Sequence, residues 1–150
     1  MTDTSLKQRL AAGEPLRFGV VGLGVAFKGI ARSTAEWPHI TFTAACDIRQ
    51  SALDAFKAEY GGETYLDFAE MCKSPNVDVV YVVTPNRLHR EQVITAAQHG
   101  KHVIVDKPMA PSVEDCEAMN QAAEKAGVVL LCGHSHSYGP AVRKMREVIS

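Results

Sequence analysis

Short apolar runs rich in β-branched residues alternate along the chain with stretches whose apolar positions recur every three to four residues. The runs fall at 17–21, 40–46, 77–83, 102–105 and 128–132, and helical spacing fills 26–35, 51–60, 88–99 and 113–126. Strands alternating with helices predict right-handed βαβ units and a parallel sheet covered on both faces. Near-continuous hydrophobicity from Val77 to Val83 and from Val103 to Val105 fits central strands buried on both sides. Glu63, Thr64 and Tyr65 read as a short third strand, followed by a small helix over 67–73. Gly61 and Gly62, Gly100 and Gly127 each stop a helix. Pro140 can open a last one, with Val142, Met145 and Ile149 on one apolar face. The class predicted is α/β, a doubly wound parallel sheet of order 3-2-1-4-5-6.

Composition narrows the field without naming a chemistry. At 150 residues the chain is one ordinary domain, and 46% hydrophobic content supports a packed core. A formal net charge of −1 gives no electrostatic case for nucleic acid or an anionic membrane as partner. No apolar stretch approaches the roughly 20 residues that cross a bilayer. Residues 1–15 form a polar leader, expected to fray, without the apolar centre of a signal peptide. The expected compartment is the cytoplasm. Cys46, Cys72, Cys116 and Cys132 are scattered with no Cys-x-x-Cys pair, so neither a disulfide framework nor a metal site is expected.

The candidate chemistry lies where strands end. The first strand runs into Gly22-Leu23-Gly24-Val25-Ala26-Phe27. A tight turn requires Gly22, and a pyrophosphate can approach the backbone only if Gly24 has no side chain. Amides opening the next helix, at Val25, Ala26 and Phe27, would then hold the negative charge. Phe27 stands where the usual fingerprint has its third glycine, so this helix must sit differently or lean outward. Asp47 ends the second strand, 23 positions after Gly24, near the spacing of a ribose-binding acid. It can equally cap the following helix. Such a carboxylate favours NAD over NADP, while Arg49 could neutralise it or reach a phosphate. NAD is expected, with NADP as the alternative.

The fourth strand closes on Thr84-Pro85-Asn86-Arg87-Leu88-His89. Thr84 and Asn86 offer short polar groups to a ribose or nicotinamide, and Pro85 fixes the turn. His89 could face the core or the ligand. The fifth strand ends in Asp106-Lys107-Pro108, and an ammonium at the mouth of a parallel sheet can polarise a substrate oxygen or relay a proton. After the sixth strand, His134 and His136 could bond substrate or cofactor, serve structure, or ligate metal.

Together, Gly-x-Gly, Thr-Pro-Asn-x-x-His and Lys-Pro in this order resemble the N-terminal domain of the glucose–fructose oxidoreductase, inositol dehydrogenase and rhizopine-catabolism (Gfo/Idh/MocA) family. The resemblance runs from about Arg17 onward. It implies a Rossmann-type fold and an NAD(P)-dependent oxidoreductase of sugars, cyclitols or related hydroxy compounds. It places Gly22 and Gly24 on the pyrophosphate, Asp47 on the adenosine ribose, and Thr84, Asn86 and Lys107 at the nicotinamide end. Two departures stand out. The family's common Glu-Lys-Pro is here Asp106-Lys107-Pro108, and its Gly-Phe-Asn-x-Arg-Phe-x-Pro is here Gly133-His134-Ser135-His136-Ser137-Tyr138-Gly139-Pro140. That His-x-His, with the Gly-Leu-Gly-Val-Ala-Phe loop, is similar to the branch acting on phthalate cis-dihydrodiols.

The expected organisation is a leader over 1–15, a nucleotide-binding domain over 16–139, and from 140 a helix leading to a substrate domain beyond this chain. The longer enzyme is expected to act on a small hydroxy or carbonyl compound, with Lys107 as catalytic residue, and to be a homo-oligomer. The 150 residues alone should bind dinucleotide without turning substrate over. The competing function is a non-catalytic NAD(P)-binding regulatory or sensory module. A short-chain dehydrogenase is disfavoured, because no Tyr-x-x-x-Lys pair occurs.

Overall fold

A computed structural model describes residues 3–134 and 139–149. The elements in chain order are α1 (Asp3–Ala11), β1 (Leu16–Val21), α2 (Val25–Thr34), β2 (Ile40–Cys46), α3 (Gln50–Tyr60), β3 (Glu63–Tyr65) and α4 (Phe68–Lys73). Then follow β4 (Val79–Val82), a 3-10 turn (Asn86–Leu88), α5 (His89–Gln98), β5 (His102–Val105), α6 (Val113–Ala126), β6 (Leu130–Cys132) and α7 (Pro140–Ile149). All strand pairs are parallel, in the order β3-β2-β1-β4-β5-β6. The predicted topology is the one found.

Each face of the sheet carries its own core. On one, Met71 and Cys72 of α4, Val93 and Ala96 of α5 and Met119 of α6 pack on Val21, Val80, Val82, Val103 and Val105. On the other, Phe27 and Ala31 of α2 and Leu53 and Phe56 of α3 pack on Phe18, Val20, Phe42 and Ala45. The alternation of side chains along β1 sends Val20 to one core and Val21 to the other. Burial pushes the Cys46 and Cys72 thiols up to about 11 and about 12, so both act as small apolar fillers.

Strand ends differ from expectation in informative ways. β4 starts at Val79 rather than 77, although the Asp78 amide still donates to Arg17 O at 2.8 Å and its carbonyl accepts from the His102 amide at 3.2 Å; the Asp78 side chain forms a clamp. Its carboxylate accepts bonds from the Arg17 amide at 2.9 Å, Arg17 Nη2 at 2.7 Å and Arg9 Nη1 at 3.0 Å. Burial raises the Asp78 pKa, but the Arg17 and Arg9 bonds outweigh it and hold the carboxyl below its ordinary value. β6 starts at Leu130 rather than 128, because Val128 is spent closing α6. Its amide donates to Ala123 O at 3.0 Å while Gly127 turns left-handed at φ 67.

The leader corrects the expectation of a frayed segment. It forms α1, and Arg9 joins it to Asp78, 69 positions away in sequence. Beside that clamp Lys101 is buried, its ammonium donating to the carbonyls of Ser74 and Val77 at 2.7 and 2.8 Å. These contacts gather where β1 and β4 begin, leaving the opposite, carboxyl edge of the sheet for chemistry.

At the position of the usual third glycine, α2 turns a large side chain to the sheet. Phe27 is buried, its ring edge-on to Phe42 at 5.3 Å and to Tyr60 at 6.0 Å. A crevice of about 870 Å³ separates α2 from α3, lined by Ala31, Ala52 and Phe56 among others. It touches the strand-end loops only at Leu23 and Arg49.

Candidate dinucleotide site

The site is assembled at the carboxyl ends of β1, β2, β4 and β5, where parallel sheets of this kind place ligands. Gly22 turns the chain at φ 96, and its amide donates to Cys46 O at 2.9 Å. A Cβ here would stand 2.9 Å from Val83 O, so the turn excludes any side chain. Gly24 differs in kind. Its backbone is ordinary at φ −87, and a Cβ would meet nothing within 4 Å. The space beside it is open to a ligand, and the first-turn amides of α2, from Val25 to Phe27, have no intrahelical acceptor. The helix N-terminus and that open space suit a pyrophosphate.

Asp47 is buried at the end of β2, and its carboxylate is fully engaged. Oδ2 accepts from the Leu23 amide at 2.8 Å and Arg49 Nη2 at 3.0 Å. Oδ1 accepts from the Arg49 amide at 2.9 Å and Arg49 Nε at 3.0 Å. Burial raises its pKa, but the bonds from Arg49 and Leu23 prevail and keep it below the ordinary value. The carboxylate therefore fixes the glycine loop. α3 takes Arg49 as its N-cap residue, with no side-chain cap bond. Arg49, whose side chain is 57% exposed, neutralises Asp47 and also donates to Leu23 O at 3.3 Å.

Across the mouth, the Thr84 hydroxyl donates to Gln92 Oε1 on α5 at 2.5 Å, so its proton points inward. Pro85 and Asn86 are exposed on the lip, and Lys107 is exposed beyond β5. The last ladder bond between β4 and β5 runs from the Asp106 amide to Val82 O at 2.9 Å. Gly133 comes close to Asp106: a Cβ built on it would lie 3.8 Å from the Asp106 carboxylate. His134 is exposed, with Nε2 3.7 Å from Cys132 Sγ. His136 lies outside the described residues. Among the described residues, no three His, Cys, Asp or Glu side chains gather as a metal site would require.

Two of the candidate residues turn their side chains to the core. The Phe27 side chain belongs to the aromatic core, so only its amide can serve a ligand. His89 faces the core at 1% exposure, its ring nitrogens directed at the carbonyls of Thr84, Pro108 and Met109. Gln92 is a residue that sequence reading missed, since nothing in its spacing reveals a partner eight positions earlier.

The chain matches a family model described as "Oxidoreductase family, NAD-binding Rossmann fold" over residues 16–134. It is 39% identical over 135 residues to the 1-carboxy-3-chloro-3,4-dihydroxycyclo hexa-1,5-diene dehydrogenase of Comamonas testosteroni, covering 89% of this chain and 34% of that protein. It is 31% identical over 135 residues to the myo-inositol 2-dehydrogenase of Thermotoga maritima, covering 89% of this chain and 40% of that protein. In structure it is similar to the WlbA dehydrogenase of Bordetella pertussis in complex with NADH and UDP-GlcNAcA. That match has a TM-score of 0.86 at 31% identity and covers 91% of this chain and 40% of that one. The chain thus spans about a third of the length of the first curated relatives it matches. On sequence and fold together, this chain belongs to the Gfo/Idh/MocA oxidoreductase family and carries its NAD-binding Rossmann fold.

Proposed function

We propose that this chain is the cofactor-binding part of a dehydrogenase acting on a polyol, cyclitol or dihydrodiol-type hydroxy compound. The observation that carries the reading is the convergence of an open Gly24, the α2 amides, Asp47 and Lys107 on one edge of the sheet. A bound nicotinamide supplies the hydride chemistry. The chain's own residues bind and orient. Gly22 and Gly24 make room for the pyrophosphate, Asp47 addresses the adenosine ribose, and Asn86 and Lys107 border the nicotinamide end. Lys107 can hold a proton against a substrate oxygen. His134 is assigned to the substrate side of the same mouth, and the sequence pattern assigns His136 the same substrate role.

The dihydrodiol class is supported by the named activity of the Comamonas relative, the cyclitol class by that of the Thermotoga relative. Residues 1–15 are the leader of this domain, and the helix from Pro140 leads toward a separate substrate domain. The whole enzyme is proposed to be a homo-oligomer of the cytoplasm. Among the described residues no helix is long and apolar enough to cross a membrane.

NAD is the preferred cofactor, because a carboxylate at the ribose position repels a 2′-phosphate. Calorimetric titration of the chain with NADH and NADPH tests this. NADH is expected to bind more tightly, and a tighter NADPH complex would overturn the preference.

A further inference from the structure

His89 is the first residue of α5, and the binding roles above make no use of its ring. The ring sits between the two loops that border the nicotinamide end. Nε2 lies 2.8 Å from Thr84 O, and Nδ1 lies 3.2 Å from both Pro108 O and Met109 O. All three partners are acceptors. A proton on Nε2 ties α5 to the Thr84 loop, a proton on Nδ1 ties it to the turn after Lys107, and the cation ties it to both. One turn later Gln92 takes the Thr84 hydroxyl, so α5 holds Thr84 by its carbonyl and its side chain alike.

The position of this staple gives it consequence. The ladder between β4 and β5 ends with the bond from Asp106 to Val82. Past that point the two strands run into loops bearing Thr84 and Asn86 on one side and Lys107 on the other. Burying an imidazole is costly without hydrogen bonds, and a phenyl ring would fill the same volume at no such cost. What the imidazole adds is a link between loops that the sheet no longer joins.

We propose that His89 is a positioning residue: by donating from α5 to the strand-end loops, it sets where Asn86 and Lys107 stand for the nicotinamide half of the cofactor. This rests on the dinucleotide reading of the mouth, and it predicts an effect confined to one half of the ligand. ADP-ribose carries the adenosine and pyrophosphate of NADH without the nicotinamide. The test titrates the 150-residue chain with NADH and with ADP-ribose, for the wild type, His89→Phe and His89→Gln.

In the wild type NADH should bind more tightly than ADP-ribose. His89→Phe should weaken NADH by about tenfold, the loss of roughly one or two hydrogen bonds, and leave ADP-ribose within about twofold. His89→Gln, which keeps a donor, should recover part of the loss. Should the phenyl variant fail to fold, the glutamine variant carries the test alone, with a smaller loss that again falls on NADH only. Equal losses for both ligands in a folded variant, no loss for either, or a wild type without any NADH advantage would overturn the proposal. A wild type that binds neither ligand overturns the dinucleotide reading itself, and the role of His89 with it.

Discussion

Asp47 and Arg49 show how a single side chain can be committed twice. A carboxylate offers about four lone-pair sites, and here four N–H donors fill them at 2.8 to 3.0 Å. A ribose hydroxyl gains an acceptor only when the Arg49 guanidinium moves aside, which its exposure permits. NAD binding on this view displaces Arg49 from Asp47, whereas a 2′-phosphate would attract it. Arg49→Ala should therefore widen the NADH preference over NADPH by about tenfold, the worth of one charge-assisted hydrogen bond. Paired titrations of the wild type and Arg49→Ala with both cofactors measure that ratio. A ratio that narrows would show that Arg49 does not compete with the ribose.

The elements divide into those that local pattern specifies and those that distant contacts specify. β4 was legible because burial on both sides forces a continuous apolar run, whereas β5 buries fully only Val103 and Val105, on one face; the glycines at 61, 100 and 127 mark the helix ends. The docking of α1 was not legible, since no local signal links Arg9 to Asp78 across 69 positions. Asp78→Ala removes the anion from two arginines whose side chains are only 18% exposed, and should cost about 3 kcal/mol, the low end for breaking a buried pair. Asp78 and Asp47 both have lowered pKa values in the folded chain. Their contribution is full above the ordinary aspartate value near 4 and is lost as pH falls through the lower folded values. Chemical denaturation at neutral pH and below about pH 4 should show stability falling with acid, less steeply in Asp78→Ala. A variant as stable as the wild type would show that α1 is not anchored by this clamp.

Taken whole, the molecule separates its two tasks along the strand direction. Structural charge, in Asp78, Arg9, Arg17 and Lys101, gathers where β1 and β4 begin, and the ligand-facing groups gather where the strands end. The order of strands and the positions of Gly22, Gly24, Asp47 and Lys107 could be read from sequence because each follows an apolar run directly. The inward turn of Phe27 and the staple at His89 could not, because both depend on which residues the closed fold brings beside them. Gly24 is where binding and folding part most cleanly. A Cβ there meets nothing within 4 Å and the backbone has no positive φ, so Gly24→Val should fold and melt as the wild type does. The same side chain would occupy the space through which a pyrophosphate approaches the α2 amides. Titration of NADH into the wild type and into Gly24→Val, with thermal melting of both, is the most direct measurement. Binding in the wild type and its loss in an equally stable variant is the result expected; NADH binding to Gly24→Val with undiminished affinity, or to neither protein, would contradict the assignment of this loop.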